Sequence, residues 1–301
     1  MKNKLFCILL GICILFTNCS DKKEDLIPEE PPIILPETPE QAKIEDILNI
    51  SIDNETFTIL GCEDWYGVAY GNGKYVAVGD YGNMAHSTNG TNWTLITIGS
   101  NKWNDVVYGE NKFVAVGYGG ISYSIDGINW TIVSESGAWH AITYGEGKFV
   151  AVGNNGYLAY STDGISWKVK KLPFLYGYSI TYGNGKYIAG GNNGNLAYSK
   201  DGINWDITQV DDLYVYSIVY GNEKYVAIGA YGAAYSTNGI DWIYYPSKNV
   251  TGYCIKYENE MYIVANRVTL STSKDGINWD SRTITNEIGE RKVINSIYIV
   301  K

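Results

Sequence analysis

The stretch Ser161-Thr162-Asp163-Gly164-Ile165-Ser166-Trp167 is one of six versions of a seven-residue phrase that recurs along the chain. We call each version a Ser–Trp phrase. The tryptophans that close the six phrases are 37, 37, 38, 37 and 37 residues apart. A period of this length is typical of proteins built from stacked or radially arranged copies of one supersecondary unit. The repeat therefore predicts the architecture before any single residue is considered.

Each repeat contains four short runs of β-forming residues that are separated by turn residues. In the third repeat the runs are 139–144, 148–153, 157–161 and 165–169. Asp163-Gly164 supplies the positive φ angles that a tight hairpin needs. The runs lack the i, i+3, i+4 spacing of an amphipathic helix. The repeat therefore predicts an antiparallel meander of four strands.

The Ser–Trp phrase resembles the Asp-box of the sialidase-type (BNR) β-propellers, with one residue missing between Asp and Gly. The resemblance implies an all-β fold, a β-propeller of four-stranded blades, in which the phrase braces a turn and its tryptophan fills the wedge between sheets. It also implies that any ligand site lies on the face away from the phrases. The residues with this structural role are Asn89, Trp93, Asp126, Trp130, Asp163, Trp167, Asp201, Trp205, Asn238, Trp242, Asp275 and Trp279.

The ends of the repeat region each carry a partial repeat. Residues 48–57 align with 158–167, which places Phe57 at the tryptophan position, and residues 294–299 align with a first strand. A seventh blade shared between the two ends would close the ring and leave no long open edge. We favour seven blades, closed by N- and C-terminal strands, with six blades as the alternative.

The start of the chain resembles an export signal. A basic start precedes an apolar run from Leu5 to Phe16, which fits a signal peptide of residues 1–18. The segment ending at Cys19 resembles a bacterial lipobox, which implies lipidation of Cys19; an ordinary signal peptide with an incidental cysteine is the alternative. Residues 19–46 are acidic and contain five of the seven prolines, so we expect an extended tether before a propeller of residues 47–301.

This start implies a bacterial outer-membrane lipoprotein, exposed at the cell surface and held to the membrane through the lipid anchor only. The formal net charge is −9 and basic clusters are lacking, which argues against a nucleic-acid partner. We expect a monomer. Cys62 and Cys254 are the cysteines that remain in the propeller, and whether they pair is left open.

Residues that vary between repeats on the face opposite the phrases are the candidates for ligand binding, because blade packing does not fix them. They lie at the start of the first strands and in the loops after the second strands, and they are rich in Tyr and Asn, which suit stacking and amide hydrogen bonds. The set is Tyr66, Asp80, Tyr81, Asn104, Tyr118, His140, Asn154, Asn155, Tyr178, Asn192, Asn193, Tyr216, Tyr231, Tyr253 and Arg267.

Catalytic chemistry is poorly represented in the sequence. Sialidases of the resembling family grip the substrate carboxylate with three arginines, whereas the arginines of this chain, Arg267, Arg282 and Arg291, all lie in its last thirty-five residues. His140 has no Cys or carboxylate partner at metal-ligand spacing, so we expect neither a metal nor a cofactor.

We therefore expect a non-catalytic binding module for a glycan or a protein. Two alternatives remain. A glycoside hydrolase could use paired carboxylates among Glu63, Asp80 and Asp105. The chain could instead be an assembly factor similar to the propellers that assist photosystem assembly.

Overall fold

The structure is a computed structural model that describes residues 47–52, 55–60, 65–134, 137–172, 176–210, 213–246, 250–266 and 269–283, with residues 47–60 described by their backbone alone. The predicted leader, Cys19, the tether, Cys62 and Arg267 lie outside these residues. All of the described residues belong to a compact unit that spans Pro39–Lys301. In the part of the chain that is described, no helix has the length and apolar character needed to span a membrane.

The first two strands form a hairpin of their own. Strands β1 (Ile47–Ile52) and β2 (Glu55–Leu60) are antiparallel, and Ile50 pairs with Phe57. Phe57 thus lies inside a strand, whereas Trp167 lies in the loop before the fourth strand of its blade. The expectation that Phe57 takes the tryptophan position is wrong, because the two strands leave just residues 53 and 54 between them.

Six four-stranded antiparallel sheets follow, which we call blades 1 to 6. Blade 1 comprises β3 (Trp65–Gly71), β4 (Lys74–Gly79), β5 (Asn83–Ser87) and β6 (Thr94–Thr97). Blade 2 comprises β7 (Trp103–Gly109), β8 (Lys112–Gly117), β9 (Gly120–Ser124) and β10 (Thr131–Ser134). Blade 3 comprises β11 (Trp139–Gly145), β12 (Lys148–Gly153), β13 (Tyr157–Ser161) and β14 (Lys168–Lys171).

The remaining blades repeat the pattern. Blade 4 comprises β15 (Gly177–Gly183), β16 (Lys186–Gly191), β17 (Asn195–Ser199) and β18 (Asp206–Gln209). Blade 5 comprises β19 (Val215–Gly221), β20 (Lys224–Gly229), β21 (Gly232–Ser236) and β22 (Ile243–Pro246). Blade 6 comprises β23 (Cys254–Glu258), β24 (Met261–Asn266), β25 (Thr269–Ser273) and β26 (Asp280–Thr283). Short 3-10 turns at Asp80–Gly82 and Asn154–Gly156 join the second and third strands of blades 1 and 3.

The hydrophobic core lies between neighbouring blades. The second strand of a blade is buried on both faces, as in β12, while the fourth strand is exposed, as in β14. Trp167 packs on a cluster that combines Val114 and Val116 of blade 2 with Ile142 and Phe149 of blade 3. The expectation that each tryptophan fills the wedge between sheets is confirmed for this phrase, and burial of such an aromatic face is a large stabilising contribution.

The Ser–Trp phrases brace their own turns. Asp163 Oδ1 accepts hydrogen bonds from the backbone N–H groups of Ile165 and Ser166, at 2.8 and 2.7 Å. These bonds hold the pKa of the Asp163 carboxyl well below its usual range. Four lysines, each at the start of a second strand, donate to the backbone carbonyl of the Asp or Asn in the next blade's phrase: Lys74, Lys148, Lys186 and Lys224. The phrases therefore bind blade to blade.

The predicted all-β propeller of four-stranded blades is confirmed. The described residues contain six such blades, which matches the six-blade alternative rather than the favoured seven. The hairpin of β1 and β2 is an additional two-stranded sheet. Residues 294–299, which were expected to add the inner strand of a seventh blade, lie outside the described residues.

Candidate functional site

The first strands of all six blades line a central cavity of about 810 Å³. Successive first strands contact one another from β3 through β7, β11, β15 and β19 to β23. The wall runs from Tyr66 at the start of β3 to Tyr70 near its end. A cavity of this size falls within the range of about 300–1,000 Å³ that small-molecule sites occupy.

Six of the predicted site residues occupy equivalent places at one end of this cavity. They are Tyr66, Asn104, His140, Tyr178, Tyr216 and Tyr253, and all six line its wall. We call this end the axial mouth. In blades 1 to 5 this residue forms a β-bulge, since it has no partner on the second strand. In blade 3, for example, Trp139 and Ala141 pair with consecutive residues of β12 and His140 is left between them. Such a bulge re-aims a side chain, and the sequence offered no signal for it.

Five aromatic rings form a continuous series around the axial mouth. The ring of Tyr118 lies 5.9 Å from that of His140, and His140 lies 5.6 Å from Tyr178. The series continues from Tyr178 to Tyr216 at 6.2 Å and from Tyr216 to Tyr253 at 5.4 Å, where the two rings are stacked. Tyr118 and Tyr253 are 46% and 49% exposed, so the series offers accessible aromatic surface to a ligand.

An ion pair between Lys102, in the segment before β7, and Asp80 lies beside Tyr66 at the axial mouth. The Tyr66 hydroxyl donates to Asp80 Oδ2 at 2.7 Å. The Lys102 ammonium lies 3.2 Å from the centre of the Tyr66 ring and 3.8 Å from Asp80 Oδ1. Burial lowers the pKa of Lys102, while Asp80 opposes that shift. The arrangement fixes the Tyr66 ring through a cation–π contact and an ion pair. Lys102 was missed in the sequence, because no pattern relates it to the axis.

Two amides and a histidine set the polar character of the next blades. Asn104 Nδ2 donates to the backbone carbonyl of Trp139 at 2.7 Å. His140 Nε2 lies 2.7 Å from Asn154 Oδ1, and burial lowers the pKa of His140. The imidazole is therefore neutral at pH 7 and contributes an aromatic face to the mouth rather than a positive charge.

One layer deeper, side chains join neighbouring blades. Asp105 Oδ1 accepts the backbone N–H of Val106, and its Oδ2 accepts that of Ile142 in blade 3, both at 2.9 Å. Ser179 Oγ occupies the equivalent place in blade 4 and accepts the N–H of Ile218 at 3.0 Å. Burial raises the pKa of Asp105. Because both of its oxygens bind backbone groups, Asp105 connects blades, and it is poorly placed to transfer protons to a ligand.

The structure divides the predicted site. Tyr81 and Tyr231 lie in loops after second strands, are 75% and 61% exposed, and do not line the axial cavity. Asn155, Asn192 and Asn193 line a separate groove of about 680 Å³ between blades 3 and 4. The predicted site residues therefore lie on more than one surface, and their contact with a ligand stays a prediction.

Two further tyrosines, Tyr176 and Tyr214, contact predicted site residues but were not themselves predicted. Tyr176 donates its hydroxyl to Asn155 Oδ1 at 2.6 Å, and the ring of Tyr214 lies 6.4 Å from that of Tyr231. Each precedes a predicted tyrosine by two positions, Tyr178 and Tyr216 respectively. That spacing was the available signal.

Metal binding receives no support in the described ranges, where no group of three His, Cys, Asp or Glu side chains could hold an ion. Cys254 lies at the wall of the axial cavity and has no disulfide partner among the described residues. Its pairing with Cys62 stays open, since Cys62 lies outside the described residues.

Comparison with known proteins identifies the fold alone. No protein-family model matches the chain, and no curated protein sequence matches it. Among solved structures, the chain is similar to YCF48 bound to a D1 peptide, with a TM-score of 0.62, 15% identity, and coverage of 77% of this chain and 86% of that chain. YCF48 from Cyanidioschyzon merolae gives a TM-score of 0.56 at 14% identity, covering 76% of this chain and 86% of the other.

The WD40 domain of Neurospora crassa Pan2 gives a TM-score of 0.60 at 9% identity, with coverage of 74% of this chain and 80% of the domain. At these identities the likeness is one of fold, and propellers of one fold serve many functions.

Proposed function

We propose that this protein is a surface-anchored bacterial lipoprotein whose propeller is a non-catalytic binding module, with its ligand held at the axial mouth. The series of aromatic rings from Tyr118 to Tyr253 around a cavity of about 810 Å³ carries the proposal. Rings that are accessible on one face and fixed by neighbours bind a flat ligand face at low cost in conformational entropy.

A glycan is the first candidate ligand. Sugar rings stack on aromatic faces, and their hydroxyls pair with amides and phenols. The mouth offers the Tyr216–Tyr253 stack beside the phenol of Tyr178 and the imidazole of His140. Burial and neighbouring phenols raise the pKa of Tyr216, so this phenol does not ionise near neutral pH. At Tyr216 the ligand therefore meets an uncharged aromatic ring.

A protein ligand is the second candidate. It is favoured by the similarity to YCF48, whose solved complex contains a D1 peptide. A peptide would use the same aromatic surface, with its backbone amides in place of sugar hydroxyls. An assembly-factor role for this chain would be one form of this candidate.

The glycoside hydrolase alternative is disfavoured by the carboxylates themselves. Asp80 is held by Tyr66 and Lys102, and both oxygens of Asp105 accept backbone N–H groups. A general acid needs a proton that can reach the ligand. The alternative predicts turnover that disappears in Asp80→Asn and in Asp105→Asn.

The anchor and location in this proposal depend on the resemblance of residues 1–19 to a lipoprotein signal, and the relation to Asp-box propellers depends on the Ser–Trp phrase. The bracing of each phrase by its Asp or Asn supports that relation, as in Asp126, Asp163 and Asn238. An acidic, proline-rich tether would hold the propeller away from the membrane.

The experiment that tests binding is a screen of the full chain against a glycan array and a peptide array. Tyr216→Ala and Tyr253→Ala should each abolish a specific signal, while Tyr231→Ala, an exposed tyrosine outside the cavity, should leave it intact. A signal that survives both mouth variants would contradict an axial site. A blank on both arrays, with the protein folded by circular dichroism, would contradict the binding function itself.

A further inference from the structure

The groove between blades 3 and 4 has the composition of a binding site in its own right. Its volume is about 680 Å³, and it lies between the loop after β12 and the loop after β16. Five of its side chains are amides: Asn155, Asn192, Asn193, Asn195 and Gln209. Two tyrosines complete its polar and aromatic surface, Tyr157 and Tyr176, which are 45% and 40% exposed.

Hydrogen bonds engage the side-chain oxygens of three amides in the groove. The backbone N–H of Tyr176 can only donate, so the atom of Asn192 that faces it at 3.4 Å is the amide oxygen. The Tyr176 hydroxyl donates to Asn155 Oδ1 at 2.6 Å, and Gln209 Nε2 donates to Asn195 Oδ1 at 3.2 Å. Within the part of the chain that is described, the NH₂ groups of Asn155 and Asn192 have no partner. They are donors available to a ligand.

Asn193 lines the same groove and has an unusual backbone conformation. Its φ is +55°, in the left-handed region that asparagine tolerates better than most residues, and its side chain is exposed. Asn155 has the same φ of +55° in blade 3. The two loops therefore carry asparagines in the same backbone conformation, one in each of the two blades that line the groove.

The charges of the groove favour an uncharged ligand. Lys171 is the cation among the lining residues, which include no carboxylate. Its ammonium lies 5.5 Å from the centre of the Tyr157 ring. A strongly anionic ligand is expected to meet several cations, above all planar guanidinium groups, rather than amides. Amides donate to and accept from hydroxyl groups, and tyrosine faces pack on sugar rings.

We propose that this groove is a second ligand site, which binds a neutral oligosaccharide through the amides of Asn155, Asn192 and Asn193 and the faces of Tyr157 and Tyr176. The site is independent of the axial mouth, so either site can exist without the other. Its lining comes from two blades, and blades 3 and 4 are the pair in which both loops carry an Asn-Gly after a second strand: Asn155-Gly156 and Asn193-Gly194.

The test is binding of the full chain to an array of neutral and acidic oligosaccharides, followed by calorimetric titration with the strongest neutral compound. Asn193→Gly removes the amide and keeps a residue that is at ease at positive φ. Asn184→Gly is its matched control, because Asn184 is an exposed asparagine of the same blade with φ +44° and lies in the hairpin between β15 and β16, away from the groove. Asn192→Ala and Tyr157→Ala complete the set.

We expect Asn193→Gly and Asn192→Ala to weaken binding about 3- to 10-fold each, the loss of one hydrogen bond, with Asn184→Gly unchanged. Tyr216→Ala at the axial mouth should also leave this titration unchanged. If Tyr216→Ala abolishes binding while the groove variants do not, the groove proposal is overturned and the axial site is supported. Binding of acidic compounds alone, or of no compound at millimolar concentration, also overturns it.

Discussion

His140 Nε2 lies 2.7 Å from Asn154 Oδ1, so two residues that are both expected to contact a ligand also bind each other. The amide oxygen is an acceptor, so the imidazole donates from Nε2. The pair lies beside Tyr178 in the axial mouth. It holds the imidazole ring in one orientation, and the ring then presents a fixed face to the mouth.

Burial of the His140 imidazole predicts a low histidine pKa. Burial lowers the pKa of His140 below 6.5, more than the bond to Asn154 raises it. As the pH falls through 6.5, His140 is therefore protonated in the unfolded chain but stays neutral in the folded chain. Stability from this group is complete above pH 6.5 and is lost as the pH falls toward the folded pKa.

An NMR titration of the imidazole resonances measures this directly, because the chain has two histidines. His86→Tyr assigns them, since tyrosine stands at the equivalent position in other repeats, such as Tyr160. A His140 pKa at or above 6.5 would contradict the prediction.

Asp163 should be replaceable by asparagine but not by alanine. Its Oδ1 accepts the N–H groups of Ile165 and Ser166, and in blade 5 the amide oxygen of Asn238 accepts the two equivalent N–H groups. We expect Asp163→Ala to lower the free energy of unfolding by about 1 kcal/mol at pH 7, because exposed hydrogen bonds of this kind contribute that much. Asp163→Asn should cost less. Urea denaturation of the three proteins compares them.

Asp163→Asn should also change how the stability of the protein depends on pH. The pKa of Asp163 is lowered in the folded protein from its ordinary value of 3.8, so its ionised form stabilises the fold above that pH, and this contribution is lost as the pH falls below it. Thermal melts at pH 7 and pH 3 should therefore show a smaller drop for Asp163→Asn than for the unaltered chain. Equal drops would mean that the carboxylate contributes nothing through its charge.

Tyr81 is strained, and relieving it should stabilise the protein. Its φ is +56°, a conformation in which blades 3 and 4 carry Asn155 and Asn193, and its ring is 75% exposed. A bulky residue in the left-handed region costs on the order of 1 kcal/mol more than asparagine. We expect Tyr81→Asn to raise the melting temperature by about 2–4 °C. A lower melting temperature would show that the Tyr81 ring has stabilising contacts that outweigh its backbone strain.

Cys19 should carry the lipid that anchors the chain. Metabolic labelling with a radioactive fatty acid in a Gram-negative host should label the full-length protein, and Cys19→Ala should remove the label. Protease treatment of intact cells then tests the surface location. Cys13→Ala is a suitable control, because Cys13 lies in the apolar run that should be removed with the signal peptide. Label that persists in Cys19→Ala would contradict the anchor.

The candidate site could be predicted in composition but not in layout. The repeat alignment identified Tyr66, His140 and Tyr216 as equivalent positions, and the structure brings them to one cavity. The alignment did not show that Asn193 lies outside this cavity, because the sequence of a loop does not determine how far the loop lies from the axis. The role of Asp105 in joining two blades was also not predicted. It depends on the N–H of Ile142, which lies 37 residues away in the next blade.

The sequence by itself determined the strands, the turns and the blade repeat, because those depend on local signals such as Asp163-Gly164 and on a period that any packing must respect. The tertiary structure alone decided which side chains share a surface. The bulges at Tyr66, Asn104, His140, Tyr178 and Tyr216 lie within single blades, but only the packing of the blades brings these residues to one cavity. The groove between blades 3 and 4 forms where two separate sheets meet. Contacts between residues about one repeat apart have no signature in either repeat taken alone.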